Sequence, residues 1–134
     1  MQGWHTTHYP GSFFPNPDPA ALSDYFAERL SDPACTAFLA GEPPLGYALC
    51  ALQVREVSVF SPPVRRLLID QVAVAPEARR QGLGRALLQA AKDLAWDLVV
   101  DEILLDTWAA NTKAQAFFRA MGFSPHRMLF QATP

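Results

Sequence analysis

The sequence predicts a mixed α/β domain, a central mixed sheet flanked by helices, on three observations. Two apolar runs, residues 34–40 and 45–59, bracket the short break Gly-Glu-Pro-Pro, which is how a hairpin reads. A run that is apolar on both faces, residues 65–74, leads into a stretch of helical periodicity and then a second apolar run, residues 101–108. Half of the 134 residues are hydrophobic, enough for a real core in one domain spanning 1–134.

Residues 1–18 carry Trp4, His5, His8, Tyr9, Phe13 and Phe14 among prolines 10, 15 and 17. That is too proline-rich for a regular element and too aromatic for a disordered tail, so an ordered, irregular arm is expected. Asp18 before Pro19 reads as an N-cap with proline at the first helical position. Leu22, Tyr25, Phe26 and Leu30 continue at helical spacing until Asp32-Pro33 ends the helix. The hairpin follows, then "SPPV" breaks the chain. Residues 65–74 suit a central strand, with Asp70 and Gln71 as its polar interruptions, and Pro76 ends it. From Gly82 to Leu98, Leu83, Leu87, Ala90, Leu94 and Leu98 recur at steps of three and four, predicting a helix with one buried face. Residues 101–108 read as another buried strand. Residues 111–121 read as a helix with Ala114, Phe117, Phe118 and Met121 on one side and Gly122 as its stop. Residues 126–132 read as a last strand.

The formal net charge is −2 and charged residues make up 18%. No global pull toward nucleic acid or an anionic membrane follows from such a balance. No apolar run reaches the roughly 18 residues a membrane span needs, and the N-terminus lacks a basic start before an apolar block. Cys35 and Cys50 sit in apolar surroundings and read as reduced, buried thiols of a cytoplasmic protein. His5 and His8 lie three apart with no partner cluster, so no metal is expected.

One stretch carries chemistry. "RRQGLGRALL", residues 79–88, joins a strand to a helix through two glycines flanked by arginines. The first N–H groups of a helix lack internal partners and lie at the positive end of its dipole. Glycine lets backbone approach a ligand closely. Strand, glycine turn and helix therefore make an anion cradle, to which Arg79, Arg80 and Arg85 add full charges. A P-loop fails here, because Gly84 is followed by Arg85-Ala86 rather than Lys-Ser/Thr. The dinucleotide fingerprint fails at Leu87, too large for its third small position. The pattern [Q/R]-x-x-G-x-[G/A] fits Arg79 through Gly84.

The blocks "LLIDQVAVAPEARRQGLGRALLQAAKDLA" and "ILLDTWAANTKAQAFFRAMGF" resemble the two signature segments of the GNAT superfamily of acyl-CoA-dependent N-acyltransferases. Val74, Pro76, Arg79, Gly82 and Gly84 match V-x-P-x-x-R-x-x-G-x-G. Leu105, Asn111, Ala114, Gly122 and Phe123 match L-x-V-x-x-x-N-x-x-A-x-x-x-Y-x-x-x-G-F, with Thr107 in place of the valine and Phe118 in place of the tyrosine. The resemblance covers residues 34–132 well and 1–33 loosely.

The resemblance implies a GNAT acyl-CoA N-acyltransferase fold with acetyl-CoA as cofactor. Its pyrophosphate would lie on the backbone of Gln81, Gly82, Leu83, Gly84 and Arg85. Its pantetheine would pair with Val72, Ala73 and Val74, where that strand splays from the one at 103–107. Asn111 would cap the helix after it or bond the pantetheine. Asp70, in an otherwise apolar strand, is the first candidate base, with burial expected to raise its pKa; the alternative is a carboxylate paired with Arg65 or Arg66. Asp106 and Glu56 are further candidates. The tyrosine that Phe118 replaces is read in the family as the acid for the leaving thiolate. Trp4, His8, Tyr9 and Phe14 of the arm, with Trp108, are candidates for the acceptor side or for core packing. Members of the family usually begin with a strand; only three residues precede Trp4, so that strand is expected to be absent and residues 34–40 to lie at a sheet edge, answered by a homodimer or a covering N-terminal arm. The implied function is transfer of an acetyl group to the primary amine of a small-molecule or peptide acceptor, with no nucleic-acid or membrane partner. The alternatives are a non-catalytic acyl-CoA-binding sensor or scaffold, and a phosphate-binding interaction domain.

Overall fold

The computed structural model describes residues 2–9, 11–12 and 16–134. In chain order it contains α1 (Gln2–His8), α2 (Pro19–Ser31), β1 (Cys35–Ala40), β2 (Gly46–Arg55), β3 (Val64–Val74), α3 (Leu83–Leu98), β4 (Glu102–Leu104) and α4 (Thr112–Ala120), with a 3-10 turn at Pro76–Ala78. One mixed sheet runs β1-β2-β3-β4. The first two pairings are antiparallel, and β3 pairs with β4 in parallel.

The first helix is a correction. Residues 2–8 carry no proline, so nothing prevents about two turns of helix there, and the prolines act only from position 10 onward. Because this segment is helical, no strand precedes β1 among the described residues, and β1 is a sheet edge as expected. α2 starts as its sequence reads. Asp18 accepts a hydrogen bond from Ala21 N at 2.9 Å and Pro19 opens the helix. Its apolar stripe, however, buries no residue fully, and Leu22, Tyr25 and Leu30 are exposed.

β2 stops at Arg55 rather than running on to residue 59. Ser58 Oγ accepts from the N–H groups of Phe60 and Ser61, and this local turn replaces the ladder. β4 is also short. It pairs with β3 only through Arg66–Glu102, Leu67–Ile103 and Leu68–Leu104. The last strand expected at residues 126–132 is absent. Residues 123–134 are irregular, and Met128, Leu129 and Phe130 are exposed. A strand needs a neighbour's backbone groups, and β4, at that end of the sheet, extends over three residues.

The core lies between the sheet and the α3/α4 layer. It joins Cys50, Leu67 and Ile69 to Leu88, Ala91 and Ala95 of α3 and to Phe118 and Met121 beside α4. The most buried face of α3 is therefore Leu87, Leu88, Ala91 and Ala95. The expected stripe is rotated: Leu83, Ala90, Leu94 and Leu98 are half-buried on its flank.

Candidate functional site

The glycine turn leads into α3 through left-handed backbone. After the 3-10 turn, Arg80 adopts φ 68° and Gly82 φ 80°. Gly82 is the N-cap of α3 in the left-handed region, with open space where a side chain would stand. Arg79, Arg80, Gln81 and Arg85 are exposed around it, and Leu83 is half-buried. A Cβ at Gly84 would lie 3.4 Å from the Phe117 ring and 3.9 Å from Val74 Cγ2, ordinary contact distances, so α4 and β3 pack beside the helix mouth with room for a methyl group and little more.

β3 and β4 part company after the Leu68–Leu104 pair. β3 continues to Val74, so Val72, Ala73 and Val74 have a β4-facing backbone edge outside any ladder, while their other edge pairs with Ala48, Tyr47 and Gly46. Such an edge accepts an amide-bearing chain as an added strand. Val72 packs toward the α3 core. Asn111 caps α4, accepting from Ala114 N at 3.2 Å, which is the structural half of its expected role.

Asp70 is the extra residue of a β-bulge. Leu49 stands opposite Gln71 and Cys50 opposite Ile69, leaving Asp70 without a cross-strand partner. The bulge turns Asp70 and Gln71 toward α2, whereas Ile69 and Val72 pack on the α3 side. Two expectations are corrected here. Asp70 is exposed rather than buried. Its ionic partner is Arg29 of α2, at 3.5 Å, and not Arg65 or Arg66. Arg66 pairs with Glu102, and Arg65 Nε donates to Leu98 O. Tyr25 Oη donates to the same Asp70 oxygen at 3.4 Å. Tyr25 in turn accepts from Gln71 Nε2 at 3.2 Å, and Gln71 Oε1 accepts from Tyr47 Oη at 2.7 Å. Burial, then Tyr25 and Asp70, push the Tyr47 phenol up. Tyr25, Arg29, Tyr47 and Gln71 escaped the sequence reading. Only the i, i+4 spacing of Tyr25 and Arg29 on one helical face hinted at a shared task. Asp106 and Glu56 are exposed and lie beyond the ends of their strands.

Phe118 is 9% exposed, within the core, against Phe117 and Phe123; the ring that reaches the helix mouth is Phe117. The arm folds onto the loop after β4. Tyr9 lies 4.3 Å from the Trp108 ring, His5 meets Trp108 edge-on at 6.4 Å, and Tyr9 Oη accepts from Ala110 N. Tyr9 and Trp108 are thus brought together next to Asn111, while His8 is exposed. Phe14 and the side chain of Trp4 lie outside the described residues. An open cleft of about 430 Å³ lies across β1, β2 and β3 at the end that carries the glycine turn; Leu39, Leu45, Tyr47, Ala73 and Glu77 line it. Among the described residues no helix is long and apolar enough to cross a membrane, and no three His, Cys, Asp or Glu side chains are grouped to hold a metal.

Comparison with known proteins agrees with this geometry. A human protein named N-acetyltransferase 8 is 36% identical over 59 residues, 44% of this chain and 26% of its own length. A mycothiol acetyltransferase of Pseudarthrobacter chlorophenolicus is 43% identical over 53 residues, 40% of this chain and 16% of its own. This chain therefore aligns with only a minor part of either relative. Among solved structures, a tetramutant Bacillus halodurans protein superposes with a TM-score of 0.89 at 18% identity, covering 99% of this chain and 86% of that one. An aminoglycoside N-acetyltransferase in complex with CoA superposes at 0.69 and 22% identity, covering 100% and 96%. At these identities the likeness is one of fold. The model of the acetyltransferase (GNAT) family matches residues 4–123, nearly the whole chain, and the protein belongs to that family.

Proposed function

We propose that the protein transfers an acetyl group from acetyl-CoA to a primary amine by direct attack on the thioester. The observation that carries this reading is the stretch of β3 that outruns β4 and ends beside the glycine turn of α3. It offers backbone partners for a pantetheine and N–H groups for a pyrophosphate in one continuous path. The residues fit the group. The backbone of Gln81 through Arg85 would hold the pyrophosphate, with Arg79 and Arg80 beside it. Val72, Ala73 and Val74 would pair the pantetheine, and Asn111 would fix the far wall.

Acetyl-CoA supplies an activated acyl carbon. The chain must orient the amine, accept its proton and let the thiolate leave. Asp70 is the base in this reading, and Tyr9 and Trp108, with Trp4, His8 and Phe14 of the same arm, flank the acceptor. Water protonates the thiolate in place of the tyrosine that Phe118 replaces. A thiol of pKa about 8.5 is a tolerable leaving group, and general-acid help contributes only about 10²–10⁴-fold. The acceptor is a small molecule or peptide rather than nucleic acid, in keeping with the net charge of −2. The two free cysteines support a cytoplasmic location. A homodimer through the β1 edge belongs to the same reading.

Acetyl-CoA is expected to raise the melting temperature by mass action, and ADP to raise it less. Reversing Arg79 and Arg80 to Glu, both exposed, is expected to shrink that shift without lowering the unliganded melting temperature. An unchanged shift overturns the cradle. Phe118 favours a second reading, a sensor that binds acyl-CoA without turnover. Thiol release over many turnovers with a panel of primary amines separates the two, since a sensor gives none.

A further inference from the structure

Asp70 is held from one side only, and what holds it is α2. The bulge of β3 brings Asp70 and Gln71 onto the α2 side, two residues beyond the last β3–β4 pair. Four side chains then form a line: Tyr47 to Gln71, Gln71 to Tyr25, Tyr25 to Asp70, at 2.7, 3.2 and 3.4 Å. Its direction is forced. An ionised carboxylate only accepts, and each phenol has one proton. If Tyr25 gives its proton to Asp70, it must accept from the Gln71 amide N–H. The amide oxygen then faces Tyr47, which donates to it. Reversing any member leaves two acceptors or two donors facing each other.

The line and the Arg29 ion pair end on the same atom, Asp70 Oδ2. Among the described residues no hydrogen bond or ion pair reaches Oδ1, and the side chain is 30% exposed. We infer that Tyr25 and Arg29, backed by Gln71 and Tyr47, are positioning residues that hold Asp70 by Oδ2 so that Oδ1 takes the proton of the acceptor's ammonium group. This rests on the acetyl-transfer reading above. In the step, the ammonium first loses one proton through Oδ1 to water, which frees the nitrogen's lone pair. The nitrogen then forms its bond to the acyl carbon and the carbon–sulfur bond breaks. The second proton lost from nitrogen passes to water and the departing thiolate takes one from water, so one proton is released overall. The two contacts on Oδ2 are long, as catalytic hydrogen bonds often are before substrate tightens them. Tyr47 is well placed to anchor the far end, because its raised phenol keeps its proton through neutral pH.

The test is a double-mutant cycle on the full chain, read as thiol release from acetyl-CoA with a panel of primary amines: a lysine-containing peptide, a polyamine and an aminoglycoside. Asp70→Asn is expected to cut kcat by about 10²-fold or more. Tyr25→Phe and Arg29→Gln are expected to cut kcat several-fold while leaving the KM for acetyl-CoA unchanged, and Arg29→Lys to restore part of the loss. In the Asp70→Asn background neither Tyr25→Phe nor Arg29→Gln is expected to cost anything further, because residues acting through one group are not additive. Losses that add in that background, or that appear in the KM for acetyl-CoA, overturn the positioning role and leave the transferase intact. Wild-type turnover in Asp70→Asn removes Asp70 and its supports together. A wild-type protein that binds acetyl-CoA and turns over no amine of the panel overturns the transferase reading, and this inference with it.

Discussion

Cys50 shows how burial at one residue sets a chemical property. It is fully buried in β2, packed in the core with α3, and burial pushes its thiol from 9.0 up to about 11. Between those two values the folded state keeps a proton that the unfolded state has lost. Its contribution to stability is complete below pH 9 and is lost as pH rises through about 11. Urea midpoints measured from pH 8 upward are expected to fall more steeply for the wild type than for Cys50→Val; parallel curves refute this. Gly84 makes a second test. Alanine there meets Phe117 and Val74 at ordinary contact distance, and Gly84→Ala is expected to fold with an unchanged melting temperature. Gly84→Glu drives a carboxylate into the Phe117 ring, so both stability and the acetyl-CoA shift are expected to fall. Phe118→Tyr puts a hydroxyl at a site 9% exposed. It is expected to leave acetyl-CoA affinity within a few-fold and to raise turnover, at a stability cost of about 1–3 kcal/mol if the hydroxyl finds no partner. Unchanged or lower turnover at intact stability means that the site does not lack a tyrosine acid.

At the scale of elements, the helices are held in two different ways. α3 and α4 are held by core burial. Leu88, with no exposed surface, faces β-sheet and α4 together, and Leu88→Ala is expected to cost about 2–5 kcal/mol in chemical denaturation. The end of α4 has a further fastening. Lys92 Nζ donates to Met121 O and stands 5.4 Å from the centroid of the Phe123 ring, placing a cation at the negative end of the helix. Lys92→Met keeps the aliphatic stem and is expected to cost about 1 kcal/mol through the lost charge and bond, read as a shift in the midpoint. α2 buries nothing fully, so its N-cap and its contacts with Asp70 matter more. Asp18→Ala is expected to cost about 0.5–2 kcal/mol. In this arrangement a loosened α2 reaches the bulge of β3 through Tyr25 and Arg29, and with it the proposed base Asp70.

At the scale of the whole molecule, the sheet has an uncovered side. β1, Cys35–Ala40, carries no charge, no proline and no bulge, the devices that usually blunt an edge. Ala37 is exposed, and Leu39 is 69% exposed. The described part of the arm does not cover it, because Tyr9 packs on Trp108 at the β4 side. Ala37→Lys puts a charge on this edge without touching the cleft or the core. It is expected to lower self-association in light scattering and leave the melting temperature nearly unchanged. Equal association in the variant assigns any oligomer to another surface, such as the exposed Met128–Leu129–Phe130 stretch.

Local chemistry made much of the molecule legible from its sequence. Asp18-Pro19, Gly82 and Gly122 are punctuation that works through adjacent backbone, and each acts where it was read. The periods of α3 and α4 and the hairpin depend on near neighbours in the same way. The family, and the parting of β3 from β4 that the resemblance implies, rest on two motifs whose spacing is itself local. What only the tertiary structure decided involves partners far apart in the chain. The length of β4 and the fate of residues 126–132 depend on which backbone lies alongside. Burial of Leu88 rather than Leu94 depends on how α3 rolls onto the sheet. The setting of Asp70 depends on one extra residue in β3, which reverses the alternation that a sequence reader counts by twos. That bulge turned a carboxylate expected to be buried, or else paired with Arg65 or Arg66, into an exposed one held by Tyr25 and Arg29, some forty residues earlier in the chain.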